Sequence, residues 1–228
     1  MDVEQILKIF GKKLGSNKKL LEIARKASTY ADAQKYAQEA AETLYRVLGG
    51  EYLDMSALTQ DEMLALLTAT LKRNYESVSR VCEAVQKQIN ANADLGIGVI
   101  APEFDAEKVE NMVSTIAETE EPSPAFVRNL IVNNSVETVD AAIRRNTEAH
   151  SNLGLDTLIT RTYDDVGLHG GKDRCEWCLE RCGTWTDYEE AKRAGAFERH
   201  PGCGCVIDYK VRKTHTISNQ QSRWRNVR

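Results

Sequence analysis

Between residues 175 and 205 the chain reads Cys175-Glu-Trp-Cys178, then Cys182, then His200-Pro-Gly-Cys203-Gly-Cys205. Five of the six cysteines and one of the four histidines in the 228 residues fall in this window. Zn²⁺ has no geometric preference of its own and takes four N/S ligands tetrahedrally. A Cys-x-x-Cys turn can supply two corners, and a His-x-x-Cys turn after a gap of 21 residues can supply the other two. A chain with this spacing has to fold so that the two turns meet.

Six side chains compete for four corners. The expected ligands are Cys175, Cys178, His200 and Cys203. Cys205 is the main alternate, because in an extended segment positions 203 and 205 point to the same side. Cys182, one helical turn past Cys178, is a weaker one. A disulfide-stapled tail is the competing reading. Met1-Asp-Val-Glu-Gln has neither the basic nor the apolar region of a signal peptide, and no run nears the ~18 apolar residues of a spanning helix. A reducing host cytoplasm during folding and no membrane anchor are therefore expected, and there such thiols are metal ligands more often than disulfides.

A site with all four corners filled by protein is structural, whereas catalytic zinc keeps a corner open for water. One structural Zn²⁺ is expected to act as a folding device, contributing on the order of 10–16 kcal/mol of apparent binding energy in small modules. Trp177, Trp185, Phe197 and Tyr209 are expected to pack around it.

The rest of the chain reads as helix. Val3, Ile6, Leu7, Phe10 and Leu14 form one stripe, closed by Gly15, with Ser16 as a cap for the next helix. An Ala-rich segment predicts one long helix from Asn17 to Leu48, stopped at Gly49-Gly50. Thr59-Gln-Asp-Glu62 is a capping box, and after it a stripe runs from Leu64 to Ile89 that includes Cys82 as a small core residue. Gly96, Gly98 and Pro102 mark a loop, and Asp105 caps a short helix. Pro124 starts another helix, with Asn133-Asn134-Ser135 a candidate kink before a segment from Val136 to His150. After Asn152 the texture changes: Leu155 to Tyr163 and Cys203 to Val211 read as strands, and Glu189 to Ala196 as a short helix. The expected fold is mainly α, an elongated helical bundle or hairpin with a small zinc-bound α+β module after it. The segments are 1–121 (helical), 122–154 (connecting helices) and 155–228 (zinc module with a basic tail).

The net charge of −4 gives the whole chain no electrostatic reason to coat nucleic acid, but the tail carries Lys210, Arg212, Lys213, Arg223, Arg225 and Arg228. Lys210, Arg212, Lys213, Arg223, Trp224 and Arg225 are candidates for contact with a partner protein or with DNA phosphate, Trp224 being a ready anchor for protein.

Cys-x-Trp-Cys at 175–178, Gly183-Thr-Trp-Thr-Asp-Tyr188, Phe197-x-Arg-His-x-x-Cys-x-Cys205, a short strand ending Asp208-Tyr209 and Trp224-Arg225 come in an order that resembles tailed-phage proteins. These are the minor capsid, or head morphogenesis, proteins encoded beside the portal gene, distantly related to phage Mu-type head proteins. The resemblance covers under a quarter of the chain. Gly204 departs from it, standing where the family often has Arg. It implies a structural protein of the virion, near the portal or inside the capsid, acting in head assembly and in DNA packaging or delivery, with portal and capsid proteins as partners and no enzymatic step. Self-association through the helices fits the same role. Two other classes compete. A zinc-containing nuclease would use Asp164, Asp165 and His169, although no further histidine completes a nuclease pattern, and a DNA-binding module would use the basic tail.

Overall fold

The fold is set by three Ala- and Leu-striped helices that pack on one another, with a small sheet laid across one end. A computed structural model describes residues 3–49, 58–163, 175–200 and 202–211. They form α1 (Val3–Ser16), α2 (Lys18–Lys26), α3 (Tyr30–Leu48), α4 (Gln60–Asn92), α5 (Ala106–Glu118) and α6 (Pro124–Asn152). The C-terminal part adds β1 (Thr157–Thr162), α7 (Glu176–Glu180), β2 (Gly183–Trp185), α8 (Tyr188–Arg193) and β3 (Val206–Val211). The protein is mainly α with a small α+β module, as the sequence predicts.

Caps fix most helix ends. The Thr59–Glu62 capping box opens α4, Asp105 caps α5 and Ser123 caps α6, with Pro124 in its first turn. The expected helix from Asn17 to Leu48 is instead two. Asn17 caps α2 by accepting from the Lys19 and Leu20 amides, the role expected of Ser16. A second capping box, Thr29 with Asp32, opens α3. The local hydrogen bonds of that box outweigh the helix propensity of the flanking alanines.

On α3 the fully buried Ala33, Ala37, Ala40 and Ala41 form a face of small side chains, which lets α4 and α6 approach closely. At 33 residues α4 is about 50 Å long. It buries Leu67, Leu71, Val78, Cys82 and Val85, so Cys82 is a core residue as expected. Burial pushes the Cys82 thiol far above its ordinary range.

α6 is unbroken, contrary to the expected kink at Asn133-Asn134-Ser135. Of these poor helix formers, Asn133 and Ser135 are held by tertiary bonds. Asn74 on α4 donates to Ser135 Oγ at 2.8 Å, and Ser135 donates to the Ala37 carbonyl at 2.8 Å, joining three helices through one buried hydroxyl. Asn133 donates to the His200 carbonyl at 3.0 Å. Further along α6, the Asn146 amide pairs with both backbone groups of Ile100 and holds the 93–105 loop to the bundle.

The sheet is antiparallel in the order β2-β1-β3, with Ile159 facing Trp185 on one side and Tyr209 on the other. Thr157, Ile159 and Arg161 of β1 point inward. Ile159, Ile207 and Tyr209 join the same apolar core as the helices, as do Tyr188 and Phe197. Trp185 packs against this core too, so of the four aromatics expected around the cysteines only Trp177 is there.

Tyr209 bonds to the buried His150 at the end of α6, and Tyr30 OH donates to Gln86 at 2.7 Å beside it. Burial lowers the pKa of His150 from its ordinary 6.5. As pH falls through that value the unfolded chain takes up a proton that the folded chain refuses, so the unfolded state gains. The stability tied to neutral His150 is thus full above the unfolded pKa and declines below it. Asp32, Glu39 and Glu62 are lowered from carboxylate values already near 4, so they are silent in this window. The urea midpoint of the protein should therefore fall between about pH 7.5 and about pH 5.5, and fall less in His150→Gln. Equal slopes for the two proteins would contradict this.

Candidate metal centre

Each half of the site is built by a local turn. Cys175 is the residue before α7 and Cys178 lies in its first turn, so one short helical turn brings both sulfurs to one side. The Tyr163 hydroxyl accepts from the Cys175 amide at 3.0 Å and ties this turn to the end of β1. In the second half, the Cys203 amide donates to the His200 carbonyl at 3.0 Å and Gly202 has φ +81°. Gly202 suits such a turn, because the position before its last residue needs positive φ.

The two turns meet, 22 to 25 residues apart in sequence. His200 Nε2 lies 3.3 Å from Cys175 Sγ and 3.0 Å from Cys178 Sγ, and Cys178 Sγ lies 3.6 Å from Cys203 Sγ. Ligand atoms gather in two overlapping groups, Cys175–Cys178–His200 and Cys178–Cys203–Cys205, with Cys178 common to both. Bond lengths of about 2.3 Å to sulfur and about 2.0 Å to nitrogen place tetrahedral S···S pairs about 3.8 Å apart and S···N pairs about 3.6 Å apart. The S···S spacing is close to its edge, the two S···N spacings are shorter than theirs, and none of the three approaches a disulfide bond of about 2.05 Å. All six cysteines are free thiols. This Cys/His cluster could hold a metal ion.

Cys178, Cys203 and Cys205 are buried, whereas Cys175 and His200 are half-buried. Cys182 packs beside the cluster but belongs to neither ligand group. Trp177 meets His200 edge-on, with ring centroids 5.1 Å apart. The Arg181 guanidinium carbon lies over Trp177, 3.8 Å from its ring centroid, and Arg181 Nε donates to Glu198 at 3.0 Å. Gly195, at φ +68°, makes room for this lid, since a Cβ there would lie 2.9 Å from a Glu198 carboxylate oxygen.

Two arginines approach the sulfurs from the interior. Arg161, 2% exposed, points inward from β1. Its Nη1 donates to the carbonyls of Gly195 and Ala196, both at 3.1 Å, and of Glu198, while its Nη2 lies 3.6 Å from Cys203 Sγ. Arg199 Nη1 lies 3.7 Å from the same sulfur and donates to the Cys205 carbonyl at 2.8 Å. A hydrogen bond from Cys205 and the charges of Arg199 and Arg161 hold the Cys203 thiol well below its ordinary range. Burial and the neighbouring Cys203 push Cys178 up.

Arg199 also pairs with Asp140 of α6. Its Nη2 donates to Asp140 Oδ1 at 3.0 Å and to Gln34 Oε1 at 3.2 Å, while its Nε donates to Asp140 Oδ2. Side-chain exposure is 1% for Arg199 and 2% for Asp140. Burial opposes the charge on Arg199, but Asp140 outweighs it and raises the pKa.

Neither Arg161 nor Asp140 was singled out by motif reading. Both leave a sequence signal. Arg161 falls on the inward phase of β1 with Ile159, and Asp140 lies on the buried face of α6 between Val136 and Ile143. Of the tail candidates, Lys210 is exposed on β3. Arg212, Lys213, Arg223, Trp224 and Arg225 lie outside the described residues, as do Asp164, Asp165 and His169.

No family model, curated protein or solved structure matches this chain. No helix among the described residues is long and apolar enough to cross a membrane.

Arg161→Met removes the donor shared by three carbonyls. Unfolding in urea should show a loss of about 3 kcal/mol, the scale set by charged hydrogen bonds left unmade. A loss under about 0.5 kcal/mol would mean that water replaces the guanidinium without cost.

Proposed function

We propose that the protein is a structural component of a phage virion, a minor capsid or head morphogenesis protein, whose C-terminal module is held in shape by one zinc ion. The meeting of two ligand groups, Cys175–Cys178–His200 and Cys178–Cys203–Cys205, at the shared Cys178 supports the zinc reading. In this reading Cys175, Cys178, His200 and Cys203 are the ligands, and Cys205 lies beside them, its sulfur grouped with those of Cys178 and Cys203. The ion supplies a cross-link between the two turns. The chain's own residues do the rest: Trp177 and Arg181 cover the site, and Arg161 and Arg199 balance sulfur charge from within.

Four protein ligands leave no corner for a reacting water, which favours a structural over a catalytic role. A groove of about 850 Å³ runs beside α6 near the start of α5 and α8. Glu103, Lys108, Arg144 and Glu148 line it with mixed charge, and no cysteine or histidine is among its lining residues. It offers no nucleophile–base pair among the described residues. The virion assignment rests on the residue order from Cys175 to Trp224 that resembles head morphogenesis proteins. Asp164, Asp165 and His169 of the nuclease reading, and the tail after Val211 of the DNA-binding reading, lie outside the described residues.

Protein purified without added chelator should carry about one zinc per chain by elemental analysis. Cys178→Ser should lose it, because Cys178 belongs to both ligand groups, whereas Cys182→Ser should keep it. Equal zinc content in the two variants would overturn the ligand assignment. For the virion role, the chain should co-purify with portal or capsid protein from infected cells. Its absence from both procapsids and virions would refute that role.

A further inference from the structure

The proposed centre does not stand apart from the helical body. Both halves of its second turn are tied to it. The His200 carbonyl accepts from Asn133 of α6 at 3.0 Å. The Cys205 carbonyl accepts from Gln34 of α3 at 2.9 Å and from Arg199 at 2.8 Å. Arg199 itself reaches Cys203 Sγ on one side and Asp140 and Gln34 on the other. One buried guanidinium thus connects a sulfur of the cluster to two helices remote in sequence.

The geometry points to Asp140 as a positioning residue for the metal centre, coupling metal binding to docking of the C-terminal module on α3 and α6. This rests on the zinc reading of the cysteine cluster. The physical route is short. With Asp140 in place, Arg199 is oriented by two carboxylate oxygens, and its remaining N–H groups are aimed at the Cys203 sulfur and the Cys205 carbonyl. Without that carboxylate, the guanidinium loses its charged partner, and the Cys203 sulfur keeps only Arg161 as a firmly placed cation beside it. Outer-shell partners of metal ligands typically alter affinity by 10- to 100-fold when removed. Coupling of this kind is reciprocal: whatever Asp140 adds to metal affinity, bound metal adds to docking.

The test uses the full chain and Zn²⁺ or Co²⁺ alone. Affinity is measured by competition with a chromophoric chelator for the natural protein, Asp140→Asn and Asp140→Ala. The variants should bind zinc roughly 10- to 100-fold more weakly, and the thiolate-to-cobalt charge-transfer band should shift. A merely structural aspartate would lower the unfolding midpoint and leave both readouts unchanged, which would overturn the inference. If the variants do not fold, the natural protein carries the reciprocal arm. Metal should slow amide hydrogen exchange in α3 around Gln34 and in α6 around Asn133 to Asp140, and slowing confined to the 175–205 turns would overturn the coupling. Failure of the natural protein to bind either ion is a separate outcome, which removes the metal reading itself and this inference with it.

Discussion

A guanidinium with no access to water needs a full set of partners, and much of this structure can be read as the set that Arg199 requires. Asp140 supplies a carboxylate from the middle of α6, Gln34 an amide oxygen from α3, and Cys205 a carbonyl. Breaking a buried pair by removing one member costs on the order of 3–5 kcal/mol, because the other charge is left uncompensated. The interaction says little about net stability, since an apolar pair could pack as well. It does say where the module must sit. In the observed placement of β3 against the bundle, these groups are satisfied together.

That constraint explains why two structural textures share one core. Three short strands and two helices of 5 and 6 residues bury little apolar surface of their own. Ile159, Ile207 and Tyr209 complete their burial against the helices, and His150 and Tyr30 meet Tyr209 across the seam. The cysteine turns lead into α7 and β3 and form a cluster of their own beside this core. A cross-link there has the most to contribute, which is the physical sense of the proposed zinc. Small modules short of core commonly rely on such a staple.

The helices were legible because their signals are local. Capping boxes at Thr59 and a Pro-led start at Ser123-Pro124 are written within four residues, as is the Cys-x-x-Cys turn. The break at Thr29 was equally local but was masked by the alanines around it. What could not be read were pairings between distant segments. Asn133 and Ser135 look like helix breakers in isolation and are tertiary anchors in the fold. Arg161 and Asp140 look like surface charges until strand and helix phase place them inside. Tyr209 and Phe197 sit near the cysteines in sequence, yet they pack into the bundle because β3 and the segment after α8 lie on it. The His/Cys spacing showed that two turns could meet around an ion. It carried no information on the arginines that approach the sulfurs from behind.

The central claim is that one ion grips Cys175, Cys178, His200 and Cys203. X-ray absorption at the zinc edge on the purified chain tests it most directly. The expected result is a four-coordinate shell of three sulfurs at about 2.3 Å and one nitrogen at about 2.0 Å, with no bound water. A shell dominated by oxygen, or a fully folded protein with no zinc and its sulfurs paired as disulfides, would contradict it.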